Sequence, residues 1–229
     1  MSQSRSARAA LLRARLVAAA AALGPGALLP AWQAGGSGGD SARRDAESAL
    51  TELLALAPPG SLPGPSDAPL DGAWELVYAT RGTVVTRALQ PPGPLAGVPR
   101  PTVSAIVQTL TPSPTAGMGV LAADNAACVD LGPLGTWRLR ALGRWTPQPR
   151  SGGFVEALVA FDAFGLEAVS LFGQKLDGRL PALRVPLPTP LTQRGALFRT
   201  LYLDADTRVA EGAQSGNRFV FTRAAARTQ

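Results

Sequence analysis

The sequence predicts a mainly β chain: an antiparallel β-barrel of about eight strands, preceded by an N-terminal helix. Three observations predict it. From Leu70 onward, short apolar runs recur at regular spacing, broken by Gly, Pro, Asp and Ser. Several runs alternate apolar with polar residues. The clearest sets Trp137, Leu139, Ala141 and Trp145 against Arg138, Arg140 and Arg144, the period of a half-buried strand. Upstream, Ala46, Ala49, Leu50, Leu53, Leu54 and Ala57 recur at helical spacing and give one apolar face.

Residues 1–39 read as lying outside the fold and disordered. They hold Ser, Ala and Arg, with no Asp, Glu or Lys. The Ala-rich stretch from Leu16 to Leu23 can form a basic amphipathic helix, and such composition is typical of an organelle transit peptide. A secretory signal is the rival, because Leu16 to Ala22 is a short apolar run after a basic start and Ala31–Ala34 offers small residues. Gly35–Gly39 reads as a flexible linker.

Asp40 or Ser41 then caps a helix running to Ala57, with Asp45 and Glu47 early, where they complement the helix dipole. Pro58 and Pro59 stop it, and residues 58–69 form a Pro- and Gly-rich linker. The barrel spans 70–223. Trp74, Leu76 and Tyr78 alternate with Glu75 and Val77; Val103, Ala105 and Val107 alternate with Ser104, Ile106 and Gln108. Further strands run Phe154–Phe161, Leu166–Phe172, Leu183–Leu187, Leu197–Leu203 and Arg218–Thr222.

Composition narrows the chemistry. The net charge is +6, but Arg5, Arg8, Arg13 and Arg15 of the leader account for four of it. With a single lysine, Lys175, and no basic run interleaved with aromatics, nucleic acid is not an expected partner. No uninterrupted apolar run reaches the about 18 residues of a spanning helix, so no transmembrane segment is expected. Histidine is absent, which excludes Ser-His-Asp and Cys-His catalysis and every histidine metal site. The lone Cys128 reads as a small buried thiol. No metal or cofactor is expected.

Gly72-Ala73-Trp74 opens the first strand, and Gly-x-Trp at that place is what lipocalin-like barrels show. In those barrels the tryptophan closes one end and an arginine packs across its ring, a cation–π contact of about 0.5–2 kcal/mol. Arg208 is the first candidate partner and Arg223 the second. Asp204 and Asp206 read as a turn whose carboxylates bond backbone amides and can pair with Arg208. Leu201–Val209 and Gly216–Phe221 read as two apolar strands around a polar, Gly-rich turn. Trp74, Tyr78, Trp137, Phe161 and Phe219 lead the candidates for the barrel lining, with Trp145, Phe154, Phe172, Phe198 and Phe221. Such a barrel holds either a filled core or one small apolar ligand, and residue types leave both open. Glu156, Asp162 and Glu167 are the acids that an enzyme of this shape would use, if they faced a cavity.

Two segments resemble the plastid lipid-associated (fibrillin) family. Leu70, Gly72, Trp74, Leu76, Tyr78 and Thr80 match its Leu-x-Gly-x-Trp-x-Leu-x-Tyr-Thr strand, with Ala79 intervening. Tyr202, Leu203, Asp204, Asp206 and Arg208 match Tyr-Leu-Asp-x-Asp-x-Arg-Ile, with Val209 for isoleucine. Gly216, Asn217, Phe219 and Val220 match the closing Gly-Asn-x-Phe-Val. The family's intervening Arg-Gly-Asp is replaced here by Glu211-Gly212-Ala213. Gly72, Trp74, Tyr202, Asp204, Asp206, Arg208, Gly216 and Asn217 are thus the signature positions.

The resemblance implies a lipocalin-like barrel that is non-enzymatic. It would bind or organise apolar lipids (carotenoid, quinone or acyl lipid) peripherally at thylakoid or plastoglobule surfaces in the chloroplast. It favours the transit peptide over the secretory signal, with cleavage between Ala34 and Asp40. Leu89–Val98 and Leu183–Leu191, with few charges, are the candidate docking loops. A packed barrel serving a protein partner, and an isoprenoid- or quinone-modifying enzyme, are the alternatives.

Overall fold

The computed structural model describes residues 2–29, 37–56, 70–83, 85–86, 101–113, 119–148, 155–176, 178–187 and 195–224. The 58–69 linker, Gly35 and Gly36, the Leu89–Val98 loop and Phe154 lie outside the described residues.

Two helices precede the sheet: α1 (Ser2–Leu23), continued by a 3-10 turn at Gly24–Leu28, and α2 (Ser37–Leu56). The strands are β1 (Gly72–Ala79), β2 (Thr102–Pro112), β3 (Leu121–Asp130), β4 (Thr136–Pro147) and β5 (Val155–Ala168). A short hairpin of β6 (Ser170–Leu171) and β7 (Gln174–Lys175) follows, then β8 (Leu183–Pro186), β9 (Ala196–Leu203), β10 (Thr207–Gly212) and β11 (Arg218–Arg223). The expected architecture is present. β1 to β5 pair in chain order, β9 to β11 continue the sequence, and the antiparallel β1–β11 pairing closes an eight-stranded barrel. β5 is long enough to have two neighbours on one side. Val155–Val159 pairs with β9 and closes the barrel, whereas Ala163–Leu166 pairs with β8. Beyond the closed section, therefore, the wall continues with β8 as its edge and rim.

Two apolar clusters hold the molecule together. The lumen is filled by Trp74, Leu76, Ile106, Leu110, Ala123, Ala127, Val129, Trp145, Val159, Ala210 and Phe221. The second cluster lies outside the barrel, where Leu12, Leu16, Leu50 and Leu53 of the two helices cover Tyr78, Val209 and Val220. Residues 2–29 are thus helical and packed, not disordered. Leu12, Leu16, Ala19 and Ala20 form one helix face, which burial against α2 stabilises. Arg15 bonds Asp45 and Glu52, and Arg43, 6 % exposed, donates to the Gly26 and Leu29 carbonyls. By length and composition, Arg5–Leu28 also meets the requirement for a membrane-crossing helix; one such helix near an N-terminus is equally met by a signal sequence or a packed helix.

β-Bulges correct two strand readings. One between Leu76 and Tyr78 slips the β1–β11 register, so that Leu76 opposes Phe221 in the lumen while Tyr78 opposes Val220 on the helix side. A slip of one residue moves a side chain to the other face. Another between Val103 and Ala105 puts Val103 and Ile106, not Val103, Ala105 and Val107, into the core. The C-terminal region has three strands where two were expected. β10 was hidden because both its faces are covered, Val209 by the helices and Ala210 by the lumen. The two runs Phe154–Phe161 and Leu166–Phe172 belong, for their described part up to Ala168, to the single strand β5.

Candidate functional site

The closed end of the barrel is built around Trp74. Its indole Nε1 donates to the Leu70 carbonyl at 2.8 Å, and the ring is fully buried. Both arginine candidates reach it: the Arg223 guanidinium is 3.9 Å from the ring centroid and Arg208 is 5.5 Å away. Gly72, at φ +110°, makes room, since a Cβ there would lie 2.7 Å from Arg223 Nη1. The order of candidates is therefore reversed, with Arg223 the closer partner and Arg208 over the Phe221 ring at 4.4 Å.

Arg208 does not pair with the aspartates. Strand alternation turns it into the lumen, while Asp204 and Asp206 occupy the β9–β10 turn near α1. Asp204 Oδ1 accepts from the Asp206 and Thr207 amides at 2.9 and 2.8 Å. Its Oδ2 takes the Tyr202 hydroxyl at 2.5 Å and Arg13 Nη1 at 2.6 Å. Burial, then Asp204, pushes the Tyr202 pKa well up. Asn217, 3 % exposed, accepts from Thr80 Oγ1 and the Arg81 amide and donates to the Gly82 carbonyl. Gly216, at φ +61°, supplies the turn before it. The signature residues close hairpins and dock one helix.

In the middle of the lumen lies a cavity of about 50 Å³. Trp145, Val159, Phe161, Phe198, Ala210 and Phe221 give it apolar walls; Gln108, Asn125, Thr200 and Arg208 are its polar lining. Arg208 Nη2 donates to Gln108 Oε1, and Gln108 Nε2 donates to Asn125 Oδ1 at 2.7 Å. Arg208 is 4 % exposed, and its Nε has no hydrogen-bond partner among the described residues. No described carboxylate forms an ion pair with it. Burial, and secondarily the like charge of Arg223, lowers its pKa to about 9.

Of the leading lining candidates, Phe161 borders the cavity and Phe219 packs beside it, with its ring 5.9 Å from Phe198. Trp74 closes the end. Trp137 is half-buried at the opposite end, donating to the Leu134 carbonyl at 3.3 Å. Tyr78 lies outside the barrel, its hydroxyl donating to Glu47 Oε1 at 3.2 Å and its ring 5.7 Å from Arg43. Phe172 is not in the lumen either; it is 77 % exposed at the β6–β7 turn. Glu156, Asp162 and Glu167 pair with Arg199, Arg144 and Arg138, and none of the three borders the cavity. Cys128 is half-buried, one residue off the inward-facing Ala127, and not the buried core thiol expected. The sequence reading missed Gln108, Asn125 and Thr200; counting alternate residues from Leu110 through Gln108 would have found the first.

At the β8 rim the apolar surface is uncovered. Phe164 is 50 % exposed, Leu183 61 % and Val185 52 %. Phe164 pairs with Val185, and Leu166 with Leu183. The adjoining β6–β7 turn holds Phe172 at φ +48° and Gly173 at +79°. Two positive φ values suit a tight hairpin, and the first of those positions usually takes Asn, Asp or Gly.

No family model matches the chain, and no curated protein or solved structure matches it significantly.

Proposed function

We propose that this chain is a non-enzymatic lipid-associated protein of the fibrillin type, held peripherally at an apolar lipid surface by the β8 rim of its barrel. The carrying observation is the uncovered set Phe164, Leu183 and Val185, which one register brings to one edge of the sheet, with Phe172 exposed on the β6–β7 turn that follows β5. Exposed apolar surface gathered on one strand pair marks a contact site, and Phe172 occupies its turn despite a backbone conformation unfavourable to it. The small lumen favours surface docking over enclosure of a carotenoid or quinone. The resemblance at residues 70–80 and 202–220 supports a thylakoid or plastoglobule surface in the chloroplast. The acid-free leader supports plastid import, and N-terminal sequencing of protein recovered from chloroplasts tests it.

The test is flotation of the full chain with a triacylglycerol emulsion coated in galactolipid. The parent should float with the droplets, and Phe172→Asn/Leu183→Ser/Val185→Ser should stay below with unchanged circular dichroism. A folded parent that does not float sinks the reading, and points the same patch toward a protein partner. Equal flotation of the variant would show that the rim is not the contact.

A further inference from the structure

The barrel interior holds a cation with no carboxylate opposite it among the described residues. Arg208 is a buried guanidinium beside a cavity, its Nε lacks a partner, and Gln108 is an amide, not a counter-charge, for its Nη2. A buried charge without an ion partner is costly. The two aromatic rings beside Arg208 offset part of that cost, but leave the Nε–H unsatisfied. An anion in the cavity would supply the counter-charge that the described residues do not.

The cavity's walls select the anion. Apolar groups contribute six of its ten lining residues, so inorganic phosphate or chloride would lie against hydrocarbon. At about 50 Å³, with a single water taking ~10–15 Å³ on this scale, the space fits a planar carboxylate and its first carbons. It does not fit a bulky head group. The strand register gives the remaining chain a direction outward. Gln108 pairs with Asn125, Asn125 with Ala141, Ala141 with Phe164, and Phe164 with Val185. Cross-strand partners share a face, so one inner row connects the partner of Arg208 to the exposed rim. Phe161 and Phe164 give that row an apolar floor.

We propose that the lumen is a carboxylate-binding site for an aliphatic monocarboxylic acid, with the Arg208 guanidinium as its anion clamp, Gln108 orienting that guanidinium, and the acyl chain running along β5 toward the rim. The clamp at Arg208 lies apart from the surface contact, although the chain's path shares Phe164 and Val185 with it; octanoate binding and droplet flotation are separate readouts, so failure of the clamp leaves that reading intact. Nothing covalent is involved. Binding would raise the pKa of Arg208 from its depressed value, so the complex takes up a proton where the free protein has partly lost one.

The test is calorimetric titration of the full chain with octanoate, octanol and inorganic phosphate. Octanoate should bind one to one and octanol much more weakly. Arg208→Gln should weaken octanoate by roughly 10- to 100-fold, the worth of a charged hydrogen bond, while leaving the weak octanol signal unchanged. Near pH 9.5, octanoate binding should take up protons in paired buffers of different ionisation heat. Because Arg208→Gln also alters packing, Gln108→Leu provides a second variant that leaves the charge in place; it should weaken octanoate less. Octanol binding as tightly as octanoate, no octanoate binding to folded parent, or undiminished binding by Arg208→Gln would each overturn the assignment. Phosphate binding as tightly as octanoate would overturn the acyl part of it.

Discussion

Arg13 and Asp204, 191 residues apart in the chain, meet at 2.6 Å and tie the first helix to a hairpin of the barrel. Both side chains are about a quarter exposed, so the pair is screened by water only in part. Arg13→Ala should cost about 1 kcal/mol in urea unfolding. Asp204→Ala should cost more, about 2–4 kcal/mol, because it also strips the Asp206 and Thr207 amides and the Tyr202 hydroxyl of their acceptor. Equal losses would mean that the turn keeps its shape without the carboxylate.

Gly72 answers to Arg223. Any Cβ there falls 2.7 Å from the guanidinium, and φ is +110°. Gly72→Ala should destabilise the protein by about 1–3 kcal/mol. Only the clash is relieved by removing the arginine. The double variant with Arg223→Ala should therefore lose less than the sum of the single losses, as contacting sites do. Strict additivity would show that backbone strain alone is at issue.

Phe172 should be replaceable at a profit in stability. Phe172→Asn puts a residue suited to φ +48° at the turn and should gain about 1 kcal/mol, read as a higher Tm. The same variant should float less well with lipid droplets. A gain in stability with undiminished flotation would separate the strained turn from docking.

The two tyrosines give a clean optical readout, since the chain has no others. Burial and the Glu47 carboxylate push Tyr78 up to about 12, and Tyr202 shifts in the same direction. Phenolate absorbance of the folded protein should stay low at pH 10 and jump on unfolding. Folded phenols hold protons that unfolded ones release, so their contribution to stability is intact below pH about 10 and is lost toward about 12. Arg208 acts oppositely. Its lowered pKa means that stability rises from pH about 9 upward, and Arg208→Gln should abolish that rise.

Barrel and helix were legible because the period-two and helical patterns are strong where Trp137–Trp145 and Ala46–Leu54 carry them. The inward faces were less so. Bulges at Tyr78 and Ala105 change which residues face the lumen, and a bulge leaves no mark in residue type. β10 escaped because Thr207–Gly212 is covered on both faces and so does not alternate. The leader's helix was visible in composition, but its docking depends on Asp45, Glu52 and Asp204, which lie far from it in sequence. Arg208 could be named from its motif; that no described carboxylate pairs with it follows only from where those carboxylates point.

The pairing of β1 with β11 has a consequence for how the chain is made. The edge of β1 that faces β11 has its partner only in residues 218–223. During synthesis the ribosome releases β1 more than a hundred residues before that partner. Contacts between such distant segments form slowly, and a bare strand edge invites pairing with other chains. Nascent copies should thus depend on chaperones until translation is nearly complete, and truncation just short of Arg218 should yield aggregates instead of a smaller folded protein.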